Sequence, residues 1–429
     1  MPAVEDHVTS AVSPLPRRLA RIFPSIRFGQ NFWKFFLASL FFDLGMFVFA
    51  FLYNLYLLDR GFTEKTMGWV AAAASLGTML ATIPAGILTR SIGLYRALLS
   101  CFIVLPIVCA ARALVHSEVL LVLLAFVGGA LFAMWAVSLP PAVASLTTER
   151  NRSTAFSLIF SLGIGSGILG GYLGGHLPSW CSSIQHGVPA QLKQASLLLA
   201  CAFVAFGALP CRRIRIEAPL PSPGSTRFPK SRFLWRFLPP IAAWSFGLGL
   251  LGPFLSVYMT KNFHFELVQV GNMFSLSQFL QTLSVLAAPR VFRRFGILPA
   301  VTLSQIVTSI SLVGFASLSA APWMFASFAA FSIFQYMNEP GIYTLLMNNV
   351  SPDEQSSASA WNFFMVCAAQ SVAALMGGIL LPRFGYAVVL NSAAALMAVA
   401  AVALYFSVRE SLYPAAQPFE NSIISTEAR

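Results

Sequence analysis

The chain has 429 residues, of which 57% are hydrophobic and 10% charged, and its mean hydropathy is +0.74. This balance excludes a soluble globular protein, in which about 25% of residues are charged. The formal charge of +12 does not indicate nucleic-acid binding, because the basic residues lie in short loops between apolar segments and form no folded basic face.

Apolar segments long enough to cross a bilayer recur along nearly the whole chain. They are too long, and too rich in Gly, Ala and Ser, to be the roughly ten-residue alternating strands of a transmembrane barrel. The sequence therefore predicts an all-α integral membrane protein with twelve transmembrane helices. The predicted spans are 33–57, 66–89, 97–115, 118–138, 154–176, 195–211, 238–261, 267–289, 298–318, 323–346, 357–381 and 386–407.

The charges between the spans predict the orientation of the chain. The first 32 residues are polar, contain four arginines and show no signal-peptide pattern, so the first span is expected to direct insertion. When Lys and Arg are assigned alternately to the two sides, 21 fall on the side of both termini and six on the other. Because positive loops stay inside, we predict that both termini are cytoplasmic. We expect the membrane to be a bacterial inner membrane.

The sequence contains no recognisable cofactor site, metal site or catalytic group. The six cysteines lie mostly within or at the ends of spans, without a C-x-x-C pair or a histidine at ligand spacing. A phosphate-binding loop and a nucleophile with a matching base are also missing. We therefore expect no metal, no cofactor and no enzyme activity.

A repeat with a constant offset of 203 residues relates the two halves of the chain. Phe62 matches Phe265, Gly68 matches Gly271, and "LTRSIG" at 88–93 aligns with "VFRRFG" at 291–296. Parallel six-helix repeats with a site near the midplane between them are typical of one transporter architecture. The predicted domains are a cytoplasmic segment 1–32, a six-helix half 33–211, a Pro-rich basic cytoplasmic linker 212–237, a second six-helix half 238–407 and a cytoplasmic tail 408–429.

The spans, the repeat and the central linker resemble the major facilitator superfamily over residues 30–408. This resemblance implies two pseudo-symmetric halves and transport by alternating access. The segment "GILTRSIGLYR" at 86–96 is similar to the loop motif after the family's second helix, although Arg90 replaces the usual acidic residue, which helps to latch the cytoplasmic side in the family. We assign to this motif Gly86, Arg90, Gly93 and, in the second half, Arg293, Arg294 and Gly296.

The fifth span contains "GIGSGILGGYL" at 163–173, which is similar to the antiporter motif of proton-linked exporters, with Ile168 in place of its proline. Glycines every four residues also allow close packing of a neighbouring helix, so simple packing is an equally open interpretation. Ala125 stands where many drug exporters carry an arginine, which argues against export. The predicted packing residues are Gly163, Gly167, Gly170 and Gly171.

Two carboxylates lie well inside predicted spans, Asp43 in the first and Glu339 in the tenth. A central carboxylate costs roughly 2.5 to 3.5 kcal/mol on insertion scales, so such groups usually face the protein interior and are functional. On helical wheels both lie on polar faces, and the corresponding helices of the superfamily line its central cavity. We predict that they couple transport to protons or bind a cation; hydrogen bonding between packed helices is the alternative.

Polar and aromatic side chains of both halves are candidates to contact a neutral or zwitterionic solute. The predicted cavity residues are Asn54, Trp135, Gln278, Gln281, Gln335, Tyr336, Asn338, Tyr343 and Asn362. Pro340 follows Glu339 and is expected to bend the tenth helix.

The sequence thus predicts a secondary active transporter for a small organic solute, with proton-coupled efflux as the leading hypothesis. Uptake by symport or uniport is the alternative, followed by a transport-inactive receptor. The expected partners are the solute, protons and the lipid bilayer, with no nucleic acid, and we expect the monomer to be functional.

Overall fold

The structure, a computed structural model, describes residues 28–183, 187–214, 231–318, 320–351 and 354–412. All regular secondary structure within these ranges is helical, which confirms the predicted all-α class. The predicted terminal segment 1–32, the linker 212–237 and the tail 408–429 lie mostly outside the described residues.

The long helices follow the predicted spans in chain order. They are α1 Gln30–Asp59, α2 Glu64–Ile92, α3 Leu94–Leu114, α4 Glu118–Ser145, α5 Glu149–Ser182, α6 Pro189–Phe206, α7 Arg232–Leu251, α8 Leu267–Phe295, α9 Ile297–Ser317, α10 Ala321–Asn348 and α11 Gln355–Leu412. A short helix, Ala208–Cys211, follows α6, and α7 continues through a 3-10 turn, Gly252–Phe254, into a second short helix, Leu255–Phe263.

The eleventh long helix contains two predicted spans. Its backbone leaves the helical region at Gly385, where φ is 77°, a conformation that glycine adopts without a steric penalty. In the described part of the chain, nine segments are long and apolar enough to span a membrane, with both arms of α11 counted as one. The other two long helices are α8 and α10, whose spans carry several Gln, Asn or Glu side chains. These helices together are consistent with the twelve predicted spans.

The helix bounds repeat with the offset seen in the sequence. Adding 203 to the residue numbers of α2 gives the bounds of α8, and the same holds for α3 with α9 and for α4 with α10. The single residue between α2 and α3, Gly93, has φ 87° and ψ 147°, and its counterpart Gly296 has φ 83° and ψ 152°. The repeat therefore extends to the backbone conformation of its turns.

The chain divides into two compact units whose boundaries pass through helices of the second half. The first unit contains Met1–Gly224, Pro253–Phe279 and Ala374–Pro382. The second contains Ser225–Gly252, Leu280–Ala373 and Arg383–Arg429. The predicted division into two six-helix halves stays a prediction.

In the first unit, α1 packs against α5 and α6, and α2 packs closely against α4. A buried aromatic cluster joins α1, α3 and α4: the rings of Phe42 and Trp135 are stacked with centroids 4.1 Å apart, and Phe102 meets both rings edge to face. Gly77 and Gly129 bring α2 and α4 together, because a Cβ at either position would collide with a backbone carbonyl of the other helix.

In the second unit, α9 packs on α10, and the apolar core is built from α7, α9, α10 and α11. Phe237, Val301 and Leu346 are fully buried in this core. Glu339 lies on the exposed face of α10, opposite the stripe that packs into this core.

Candidate functional site

The carboxylate of Asp43 lies inside the first unit, where α1 meets α5. Its Oδ2 is 3.8 Å from the position that a Cβ on Gly163 would occupy, so the absence of a side chain at Gly163 leaves room beside it. Among the described residues, none forms a hydrogen bond or an ion pair with this carboxylate. Asp43 is therefore a half-buried acid at span depth without a compensating donor.

The glycines of α5 form two contact faces. On the first, Gly170 and Gly174 lie against Phe47 and Phe51 of α1. A Cβ at either glycine would stand 2.5 Å from the ring or Cβ carbon of that phenylalanine, so larger residues would push α1 away. The packing between α1 and α5, which positions Asp43, therefore depends on these glycines.

The second face of α5 contacts the first turns of α8, which belong to the same unit. A Cβ at Gly171 would stand 3.0 Å from the backbone nitrogen of Ser275, and one at Gly175 would stand 3.0 Å from the Cα of Gly271. The hydroxyl of Ser275 donates to the carbonyl of Ile168 across the same contact, at 2.7 Å. This face brings α5 and α8 to backbone contact.

The predicted cavity residue Gln278 lies one helical turn from Asp43 along α5. Its amide nitrogen occupies the space beside Gly167, where an added Cβ would collide with it, while Asp43 faces Gly163. The acid of α1 and the amide of α8 thus lie beside successive turns of α5. We name Asp43, Gly163, Gly167 and Gln278 the α5 site.

Glu339 lies on the exposed face of α10 in the second unit. Tyr336 and Tyr343, three residues before it and four after it, are 37% and 52% exposed and form a stripe with it. Gln335 is buried and donates from its amide to Oε1 of Glu339 at 3.4 Å, a long hydrogen bond that leaves most of the carboxylate open. The carboxylate is therefore accessible and flanked by two phenols.

The other predicted cavity residues of the second unit are mostly covered. Asn338 donates to the carbonyl of Phe334 at 3.2 Å, and its own carbonyl oxygen has no hydrogen-bond partner. The carbonyl oxygen of Asn362 is likewise buried and without a partner, whereas Gln281 is half-buried. Two amide oxygens in this unit thus have an unused acceptor capacity.

Two predicted cavity residues of the first unit have structural partners. Trp135 is 3% exposed and stacks within the aromatic cluster, so its ring is covered and packs the core. Asn54 donates to the carbonyl of Pro253 at 2.5 Å, in the 3-10 turn that ends α7. Its amide therefore satisfies an irregular backbone segment.

The predicted loop motif lies mostly in the last turns of α2 and α8, and only its glycines Gly93 and Gly296 form the turns to the next helices. Gly93 and Gly296 supply the left-handed conformation in which the chain reverses after α2 and after α8. Arg293 and Arg294 are exposed, and the side chain of Arg90 lies outside the described residues.

The sequence also matches a family model. The family model described as Major Facilitator Superfamily matches residues 35–373 and 241–426, which together are more than half of the chain. The chain belongs to the major facilitator superfamily. Membership identifies an integral membrane transport protein and points away from an enzyme.

Solved structures share the fold at low sequence identity. A bacterial homologue of the human lysosomal transporter Spinster, inward-facing and unoccupied, has a TM-score of 0.75 at 12% identity and covers 91% of this chain and 99% of its own. The D-xylose-proton symporter has a TM-score of 0.71 at 13% identity, with coverage of 89% and 98%. The nucleoside transporter NupG has a TM-score of 0.70 at 15% identity, with coverage of 89% and 99%. A search of curated proteins found no match.

In the transporter, one ion pair at the helix ends was not predicted from the sequence. Glu64 at the start of α2 pairs with Lys261 in the short helix after α7, at 2.5 Å, and its side chain is 10% exposed. Glu64 lies between the first and second predicted spans and Lys261 ends the seventh, so the predicted orientation places both on the side opposite the termini. Their opposite charges on one side were the signal that could have indicated the pair.

Three further charged residues of the transporter are partly buried near the same ends. Asp59 and Lys193 form an ion pair of 2.7 Å between α1 and α6. Arg112 lies over the ring of Tyr53, 4.2 Å from its centroid, as a cation-π contact. These contacts link α1, α3 and α6.

Proposed function

We propose that the protein is a proton-coupled secondary transporter of a small organic solute, and that Asp43 carries the coupled proton. The observation that supports this is the unpartnered carboxylate against Gly163. An ionised carboxylate at that depth is unfavourable without a donor, whereas the protonated acid is not. The charge state of Asp43 therefore depends on whether water reaches it, which changes in each alternating-access cycle.

Glu339 is the second coupling or cation-binding group in this proposal. Its exposed position between Tyr336 and Tyr343 suits a group that meets solute, water or a cation directly. In the first unit, Gln278 lies one helical turn along α5 from Asp43, and in the second unit the amide of Gln335 donates to Glu339. Each unit thus offers a polar solute a carboxylate and an amide of its own.

We propose efflux across a bacterial inner membrane, with both termini in the cytoplasm and the monomer as the working unit. The similarity of the α5 glycine pattern to the antiporter motif of proton-linked exporters supports this direction. Uptake is the second candidate because Ala125, at the position of the exporters' arginine, is fully buried and offers no proton relay.

The first experiment measures growth of an efflux-deficient bacterium on a broad panel of toxic compounds. It compares vector, wild type, Asp43→Asn and Glu339→Gln at matched membrane expression, with Glu266→Gln as the control. Glu266 is exposed beyond the spans, and its backbone amide donates to Gln269, a bond the substitution keeps. We expect protection by wild type and Glu266→Gln, and loss of protection in Asp43→Asn.

A second experiment tests coupling with purified protein in proteoliposomes. In wild type, a pH step across the membrane should drive flux of a toxic compound against which the protein protects cells. Asp43→Asn should retain exchange of this compound but lose the response to the pH step. A pH-driven flux that survives both carboxylate substitutions would contradict the coupling role. If wild type makes the cells more sensitive, the result would contradict efflux and support uptake.

A further inference from the structure

Two apolar grooves flank the end of α6 in the first unit. One, of about 610 Å³, lies between α1 and α6 and is lined by Leu37, Phe41, Phe206 and Leu209. The other, of about 510 Å³, lies between α3 and α6 and shares Phe206 and Leu209 with the first. Leu37, Phe206 and Leu209 are 43%, 52% and 58% exposed, so both grooves open on the outer surface of the helices.

The shape of the α6 end creates these grooves. Gly207 interrupts the helix where a Cβ would collide with the ring of Phe102, and the chain continues as the short helix Ala208–Cys211. Ala208 and Cys211 are buried and hold this short helix against the bundle. Leu209 consequently points away from the bundle, between the two grooves.

A cluster of cations lies at the same end. Arg212 lines both grooves, Arg213 lines the first, and both side chains are exposed. The amine of Lys34, on α1, donates to the carbonyl of Arg213 at 3.2 Å and so joins them. In the part of the chain that the structure describes, no carboxylate pairs with any of the three. Three basic side chains are thus grouped at one end of the two apolar grooves.

The basic cluster and the two grooves match the charge and shape of a single diacyl phospholipid molecule. A diacyl phospholipid carries a phosphate above two apolar chains, and basic pockets between helices bind anionic head groups. By the charge rule, we expect this end of α6 to lie at the inner leaflet. We propose that the α6 end binds one anionic phospholipid, with its phosphate at Lys34, Arg212 and Arg213 and its acyl chains in the two grooves.

Native mass spectrometry of the full-length purified protein tests the proposal, with phosphatidylglycerol, phosphatidylcholine and glycerol 3-phosphate as probes. Each basic residue near an anionic surface changes binding by about five-fold, so Arg212→Gln/Arg213→Gln should bind phosphatidylglycerol about 30-fold more weakly. Arg293→Gln/Arg294→Gln removes the same charge from two exposed arginines outside the grooves and should bind as wild type does.

A second variant, Leu37→Trp, fills the first groove and keeps every charge. It should also weaken phosphatidylglycerol binding, whereas glycerol 3-phosphate should bind no variant. Equal weakening in both arginine pairs would mean general charge attraction and would overturn the proposal. So would unchanged binding in Arg212→Gln/Arg213→Gln or in Leu37→Trp. A wild-type protein that retains no phosphatidylglycerol would overturn it as well.

Discussion

The contact between α5 and α8 should be weakened by a single methyl group at Gly271. A Cβ there would stand 2.7 Å from both the carbonyl oxygen of Gly171 and the Cα of Gly175. Both are backbone atoms, which cannot rotate away, so the helices must separate. Overpacking of this kind costs about 1 to 3 kcal/mol, and we expect Gly271→Ala to lower the population of the state with this contact by about 5- to 150-fold.

Cross-linking of the neighbouring ion pair reports on that state. Glu64→Cys and Lys261→Cys place two thiols where the charged groups now touch, between α2 and the short helix after α7. The background carries Cys181→Ser, because Cys181 is half-buried while the other five cysteines are buried. With a short bifunctional thiol reagent, Gly271→Ala should slow cross-linking markedly.

The matched control is Gly165→Ala on α5. A Cβ at Gly165 has nothing within 4 Å, so the substitution adds the same methyl group without a collision. It should leave the cross-linking rate unchanged and stabilise the helix slightly, since glycine is the poorer helix former. An unchanged rate in Gly271→Ala, or an equal decrease in Gly165→Ala, would refute the steric argument.

Four further substitutions test the packing and the turns by unfolding of the protein in detergent. Trp135→Ala should lower the free energy of unfolding by about 3 to 5 kcal/mol, because it removes a buried ring stacked on Phe42; a change below about 1 kcal/mol would contradict a core role. Gly93→Ala and Gly296→Ala should each cost about 1 to 3 kcal/mol by backbone strain alone, and clearly unequal costs would oppose the equivalence of the two turns. Thr78→Val removes a hydrogen bond of 3.0 Å to a carbonyl of α4 and should cost only about 0.6 kcal/mol, so a loss above about 2 kcal/mol would contradict this weak contribution.

Hydrophobic length alone predicted most of the fold. The predicted tenth span, 323–346, lies within α10, Ala321–Asn348, because a bilayer requires a minimum apolar length that the sequence displays directly. The break after α7 was not predicted, since Gly252 and Pro253 stand inside an otherwise continuous apolar run. Periodicity and hydropathy average over such local features.

The candidate site was predictable only as far as the faces of single helices. A helical wheel assigned Asp43 to a polar face of α1, but it could not show that Gly163 lies opposite. Asn54 illustrates the same limit, because its partner carbonyl at Pro253 is 199 residues away in the chain. Trp135 shows the converse, since stacking on neighbouring helices covers a ring that composition alone leaves available to a solute.

The matching bounds of α2–α4 and α8–α10 have a consequence for protein engineering. Because Glu64–Ser145 and Leu267–Asn348 have the same length and the same junctions between helices, one segment can replace the other in a chimera without changing a turn. Peptide tags should be inserted at a different position, outside these segments. Between α5 and α6 the chain has residues 183–188, whereas the corresponding helices of the second half meet at Gly385 alone. We expect the first half to accept an inserted tag at this place and the second half to reject it.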